Sequence, residues 1–529
     1  MHLLKKGVYS LSTIVASCVL LASCKKSAFV ETNTDPATLY TVAPEDQFFA
    51  ASTGSQDDFE AFYDNYRRIM LWTQMTTPAS GNKGTFTNDV SNMNTRFQKI
   101  FYGRIGPRLT DAMKLIEKMS AQEQAKRVYE KAEAAVFIAY YTFYVTDANG
   151  SMPYTQAFQA RYGGAVTPKY DTQDSLFSTL DKQVKDAVAL LKTTQSTTQL
   201  SYGKNDQFFG GDATKWAKAG NALRLRMAMR LLKRDAARAK TIINEVLADP
   251  VQMTSNSDGW VLIAPSTFAD ATSNWNIQDF RAPKPVVEFM KAKSDPRLRL
   301  FYMMNKYNQY IGNPTNPDEA KDPANARLYS NVDTLSQMQI RLFTPNFNNG
   351  TGTTFFPFIT YADLCFMRAE LAASGVSTEN AASWYNMGVT ASIQFYNAKA
   401  IDAKIDNLTP VTQPEIDAYL SQPGIQFNAA KALDQIASQA YLDFLKQPNE
   451  VWALWKRTGM PNNTTSLPLS ALKNNGADIR IPRRMALDVL PTSDLNYANQ
   501  KAAFDQMAQD PGFGQGPTDA FGRVWWDKQ

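Results

Sequence analysis

The sequence predicts a mostly α-helical chain: an α-solenoid core of helix pairs carrying long irregular loops. Three observations predict it. Apolar residues recur at helical spacing in one segment after another. Period-two alternation is scarce, with Gln339 to Phe343 the best short strand candidate. The helical segments fall as adjacent neighbours, separated by stretches rich in Asn, Thr, Gly, Pro and aromatics.

Lys5 and Lys6 precede an apolar run from Val8 to Ala22, which ends Leu21-Ala22-Ser23-Cys24. That order reads as a signal peptide over residues 1–23 with lipidation at Cys24. Several acyl chains on one cysteine make an effectively permanent anchor. Residues 24–44 are polar and turn-rich, a lipidated N-terminal tether. Residues 45–529 are expected to form a single helical domain.

Leu109, Ala112, Met113 and Ile116 open the helical pattern, and Ala125 to Phe143 keeps one apolar face for several turns. Leu176, Leu180, Val184, Ala187 and Leu191 continue it, with Asp171 as the expected N-cap. Trp216 to Leu232 is the next helix, and Ala236 to Val246 another, stopped by Asp249-Pro250. Further helices are expected over 361–373, 380–396, 429–445 and 451–457. Paired helices of this kind resemble tetratricopeptide units, although no strict 34-residue self-similarity is present.

Composition narrows the function. The chain has 529 residues, 55 Lys+Arg against 50 Asp+Glu, and 12% aromatics. The aromatic content excludes disorder, and the charge balance excludes a nucleic-acid binder working through a broad basic face. The one histidine, His2, and one of three cysteines, Cys18, lie inside the signal segment. Cleavage before Cys24 would leave no histidine and one unmodified thiol, Cys365. That excludes Ser-His-Asp and Cys-His catalysis and His- or Cys-rich metal sites. No cofactor is implied. Cys365, in an apolar helical stretch, reads as a small buried hydrophobe.

Ordered motifs run along the chain: Asn33-Thr34-Asp35-Pro36; Asp147-Ala148-Asn149-Gly150-Ser151-Met152-Pro153-Tyr154; and Trp216 to Arg226, with Gly220 in an alanine-like position. Asp295-Pro296-Arg297, Tyr361 to Glu370, Asn449 to Pro461 and Ile481-Pro482-Arg483-Arg484 follow. In this order the chain resembles the SusD/RagB family of outer-membrane nutrient-binding lipoproteins, its SusD-like 2 branch in particular. The resemblance implies tetratricopeptide-like helix pairs, a loop cap facing the ligand, and no catalysis. It implies capture of an oligosaccharide, or in some members a peptide. It also implies delivery to a SusC-like TonB-dependent barrel, from an outer membrane position facing the cell surface. Two departures stand out: Lys25-Lys26 follows the lipidation site where acidic residues are common, and Leu490-Pro491 replaces a late Tyr-Pro.

A glycan site needs aromatic platforms edged by amides and charges. Four loop segments offer that mix. Asn82 to Asn94 carries Phe86 with Lys83, Asn88, Asp89, Asn92 and Asn94. Trp260 and Trp275 precede Asn276, Asp279 and Arg281. Tyr307 and Tyr310 flank Asn308 and Gln309, and Phe347 sits among asparagines. The ligand candidates are therefore Asn92, Asn94, Trp260, Trp275, Arg281, Tyr307, Tyr310 and Phe347.

Two other readings remain at this point: a helical-repeat adaptor binding only protein, and a carboxylate-only glycoside hydrolase, with Asp57, Asp58 and Glu60 the densest acidic cluster. Asn313, Asn316, Asp318, Glu319 and Asp322 lack an EF-hand spacing and read as a solvated turn. Trp452 and Trp455, three apart on one helix, read as core, and Trp525 and Trp526 as pins for the tail.

Overall fold

The computed structural model describes residues 42–90 and 94–528. Cys24, the signal segment, most of the tether and Asn92 lie outside the described residues. Residues 44–529 form one compact unit.

The helices in chain order are α1 Pro44–Thr53, α2 Glu60–Ile69, α3 Arg96–Ile105, α4 Gly106–Glu117, α5 Val128–Asn149, α6 Gln173–Lys192, α7 Ala213–Leu231 and α8 Ala236–Ala248. Then come α9 Lys284–Ala292, α10 Tyr361–Ala373, α11 Ala381–Asp402, α12 Gln413–Leu420, α13 Ala432–Asp443, α14 Pro448–Thr458 and α15 Tyr497–Met507. Helices α4 to α8 pack each on the next, and α10 packs on α11 and α13. This is the expected mostly helical, paired architecture. Gly220 explains its own place in α7. A Cβ there would meet Val188 Cγ2 at 2.5 Å, so its absence lets α7 lie close on α6.

Capping follows the sequence, with one correction. Asp212, Asp235, Asn380 and Thr360 each accept a backbone N–H from the first turn of their helices. Asp171, however, does not cap α6; Thr172 does. The Asp171 carboxylate is already taken by the N–H groups of Tyr154 and Thr155 at 2.9 and 2.8 Å.

The strand expectation is also corrected. Residues Ile340–Phe343 form a short helical turn. The longest strands instead lie inside segments that read as irregular: β2 Trp260–Pro265 and β4 Thr353–Ile359, paired antiparallel. Two-residue strands complete the set: β1 Thr77–Pro78 with β3 Phe280–Arg281, and β5 Lys473–Asn474 with β6 Ala477–Asp478.

The motif arginines prove to be internal ties. Arg226 pairs with Asp363, donates to the Phe358 carbonyl at 2.7 Å and approaches Glu450 at 3.5 Å. Arg230 joins Asp147 at 3.0 Å and Glu450 at 2.8 Å. Arg224, two residues from Arg226, points elsewhere and meets Asp181 and Glu245, each at 2.7 Å. Glu370 takes Arg457. One network therefore ties α7 to α5, α10 and α14. Trp452 is buried, whereas Trp455 is half-buried, contrary to its reading as core. Trp526 is buried, with Nε1 donating to the Asp147 carbonyl at 3.0 Å, and fixes the tail. Cys365 is buried, and desolvation pushes its thiol up to about 12, so it has almost no thiolate at neutral pH.

Candidate ligand-binding cap

The four loop segments singled out from sequence converge. Strand β1, just ahead of the first segment, pairs with β3 of the second through Thr77 opposite Arg281. Ala282 N–H donates to the Ser336 carbonyl at 2.9 Å, and Ser336 Oγ to the Gln309 carbonyl at 3.4 Å, which brings in the third. Asn346 Oδ1 accepts from Ala271 N–H at 2.9 Å and ties in the fourth. The result is one cap of loops held together by backbone and amide hydrogen bonds.

Several candidate side chains serve this scaffold and are not available to a ligand. Trp260 is 0% exposed; its ring stacks on Phe358 at 5.3 Å and meets Trp216 at 5.0 Å. Trp275 is buried against Phe356 at 5.1 Å. Arg281 is buried and donates to the carbonyls of Gln278 and Phe280 at 2.6 and 3.2 Å. Asn94 is buried, its Oδ1 accepting from Asn149 at 2.6 Å. Only Arg281 is held within its own turn; Trp260 and Asn94 are covered by groups distant in the chain. Tyr310 and Phe347 are half-buried, and Tyr307, 61% exposed, stands free beside Lys306.

A different aromatic surface borders the cap, and the sequence reading missed it. Helix α2 winds with i→i+5 bonding, as α3 does, a geometry found frequently at functional sites. Phe59 precedes it and Phe62, Tyr63 and Arg67 lie on it. Phe59 is 48% exposed, and Phe62, Tyr63 and Arg67 are half-buried. Phe59 lies 5.0 Å from Tyr63, and Tyr63 lies 5.1 Å from Phe62. Phe62 in turn meets Phe280 edge-on at 6.1 Å, beside the exposed Gln278 and Asp279. The Arg67 guanidinium lies over Phe62, Tyr63 and Phe86 at 5.8, 5.9 and 4.9 Å. It forms no ion pair among the described residues, and its Nε has no acceptor. The aromatic spacing of 59, 62, 63 and 66 was the available signal: it is helical, with three ring-bearing positions left partly open.

Chemically, this strip offers flat apolar faces and one cation whose hydrogen-bonding capacity is not filled by the protein. That suits a ligand with C–H faces and oxygen acceptors. Two of the three clustered carboxylates, Asp57 and Glu60, are committed within the protein. Asp57 pairs with Lys99 and Arg104, each at 2.9 Å. Glu60 is buried against Arg96 at 3.3 Å and accepts from Tyr144 Oη at 2.6 Å. Burial raises its pKa. The acidic turn is also occupied: Asn316 and Asp322 cap short helices, Asp318 accepts from the N–H groups of Asn475 and Gly476, and Glu319 pairs with Lys284.

A stack of helix pairs bearing a loop cap and a partly open aromatic strip defines a binding protein of the helical-repeat class. Comparison makes the class specific. Residues 33–487 match the SusD-like family model described as starch-binding and associating with the outer membrane, and the chain belongs to that family. As a member it is a nutrient-binding protein of the outer membrane. No curated protein matches the chain. Among solved structures, a chitin-binding protein superposes with a TM-score of 0.72 at 20% identity, covering 92% of this chain and 100% of its own. A SusD homologue from Bacteroides fragilis does so at 0.68 and 20%, with 92% and 100% covered. A chitin-binding SusD homologue from Flavobacterium johnsoniae gives 0.67 at 19%, with 92% and 98% covered.

Proposed function

We propose that the protein captures an oligosaccharide without chemical conversion and passes it to a SusC-like TonB-dependent barrel. In this reading it is held at the outer membrane, facing the cell surface, by acyl chains on Cys24. The observation that carries the ligand reading is the strip of Phe59, Phe62 and Tyr63 with Arg67 at its edge. The two chitin-binding relatives of the same fold support a glycan over a peptide.

The site is tested by calorimetric titration of a panel of oligosaccharides and peptides. An aromatic stacking contact contributes roughly 0.5–1.5 kcal/mol, so Tyr63→Ala is expected to weaken glycan binding about three- to tenfold. Arg67→Met is expected to weaken it in the same direction, since it removes the donor and keeps much of the stem. A glycan affinity untouched by both substitutions would remove the strip from the site, and binding of peptides alone would remove the glycan. The anchor is tested separately. Cys24→Ala is expected to abolish incorporation of labelled fatty acid and to release the protein from the membrane fraction. Retention of both label and membrane association would refute lipidation at this residue.

A further inference from the structure

We propose a second binding site, for a small apolar molecule that ends in a carboxylate, in a cavity between the first turn of α6, the end of α15 and the C-terminal tail. The cavity has a volume of about 370 Å³. Pockets for small ligands start at roughly 300 Å³, and at roughly 30 Å³ of liquid per water this one holds about a dozen waters. That is room for one aromatic or branched acid. None of its lining residues belongs to the aromatic strip or to the cap loops.

Three features set the chemical class of the occupant. First, part of the lining is apolar and large. Met507 and Phe513 are buried, and Trp525 is half-buried beside them. Such walls take an apolar body, an aromatic ring above all. Second, the polar capacity left over is made of donors. Arg234 pairs with Asp510 through Nη2, and Arg523 with Asp527 through Nη1 at 3.0 Å. The other N–H groups of both guanidinia meet no acceptor among the described residues. Ser151 is 6% exposed and lines the cavity, and its hydroxyl has no partner among the described residues. The remaining polar groups are spent inside the protein. Gln173 serves the Thr146 carbonyl and the Trp526 N–H, Thr172 caps α6, and Asp510 also accepts from Gly512 N–H at 2.9 Å. A guanidinium edge without an acceptor matches a planar group of two oxygens. Third, the charges favour one negative charge over two. Asp174 is answered by Arg238 at 2.7 Å, and Asp510 by Arg234. Asp527 is shared between Arg523 and Arg483, the latter at 2.7 Å, so Arg523 has less than a full counter-charge. A carboxylate finds that surplus, whereas a doubly charged phosphate would also meet the repulsion of Asp174 and Asp510 twice over.

The test is calorimetric titration of the mature chain carrying Cys24→Ser with 3-phenylpropionate, its amide, phenyl phosphate and N-acetylphenylalanine. Saturable binding of 3-phenylpropionate is expected, with the amide and the phosphate each weaker by about tenfold or more. N-acetylphenylalanine separates the two sources of such a group. It binds more tightly than the free acid if the site takes the C-terminal residue of a peptide, and more weakly if it takes a free acid. Arg234→Gln and Arg523→Gln are each expected to weaken binding about tenfold, the loss of one charged hydrogen bond. Ser151→Ala removes one oxygen that the protein leaves unbonded, so it does not threaten folding, and is expected to weaken binding about threefold. Thermal melts show which variants keep the wild-type fold. Absence of saturable binding by 3-phenylpropionate overturns the proposal. So does an amide that binds as tightly as the acid. So does an affinity for the acid that ignores Ser151→Ala and every arginine variant that melts as the wild type does.

Discussion

Replacing Glu450 with alanine is expected to destabilise the protein by about 3–5 kcal/mol, the cost of breaking a buried ion pair from one side. Glu450 stands between two arginines of α7, 2.8 Å from Arg230 and 3.5 Å from Arg226. Both arginines are buried, as is Asp147, which shares Arg230. Burial alone would raise the Glu450 pKa; Arg226 and Arg230 outweigh it and hold the carboxyl below its ordinary value. Removing the carboxylate leaves two cationic groups with Asp147 and Asp363 alone to balance them. Glu450→Gln keeps the shape and loses the charge, so it is expected to fall between wild type and alanine. Urea unfolding checks the ordering. A loss below about 1 kcal/mol for the alanine variant would mean that the network is solvated or redundant. Swapping the pair together for apolar residues of matched volume is expected to cost far less than either single change, because nothing charged is left buried.

How far the sequence revealed this arrangement depends on the range over which each feature is determined. Helices α5, α6, α7, α8 and α11 were legible because their apolar repeats are local, and because Asp249-Pro250 marks where α8 stops. Helix α2 was missed although its spacing is helical, since the repeat is written in aromatic residues such as Phe62 and Tyr66 beside Arg67 and Arg68, not in the aliphatic residues that mark the other helices. The pairing of β2 with β4 joins Trp260 to Ile359, and nothing local announces a partner so distant in the chain. That pairing is what buries Trp260. A tryptophan in an asparagine-rich neighbourhood looks like a platform until its partner strand covers it. The same holds for Arg281, whose donors are consumed by carbonyls of its own turn. Sequence therefore located the loops that form the cap, while the choice of which rings remain open was made by long-range packing.

The protein is expected to be more stable near pH 5 than at pH 7.5, with Asp64 as a principal cause. Asp64 is 0% exposed, and desolvation, opposed by Arg96, raises its pKa from the ordinary value near 4 to about 7. Asp443, also buried, is raised by desolvation to about 6. A carboxyl whose folded pKa exceeds its unfolded one binds its proton more tightly in the native state. Its contribution is complete below the unfolded pKa near 4 and is lost as pH rises through 6 to 7. At about 1.4 kcal/mol per unit, Asp64 alone accounts for a loss on the order of 2–4 kcal/mol across that window. The geometry agrees: one Asp64 oxygen accepts from Thr95 N–H at 2.8 Å, and the other, buried, meets no donor. A proton is what the second oxygen lacks. Two buried amines act in the opposite direction. Desolvation lowers Lys456 to about 8 and Lys446 well below its ordinary value. A lysine whose folded pKa is depressed binds protons less in the native state, so stability rises with pH between that pKa and about 10.4. For Lys456 this rise begins near pH 8, above the acidic window. Asp64→Asn, which fixes the uncharged state, separates the contributions. It is expected to leave stability at pH 5 nearly unchanged, to raise it at pH 7.5, and to flatten the slope between them. Thermal melts of both proteins from pH 5 to 8 measure this directly. An Asp64→Asn variant with an unchanged slope would show that Asp64 is ionised and compensated in the folded protein.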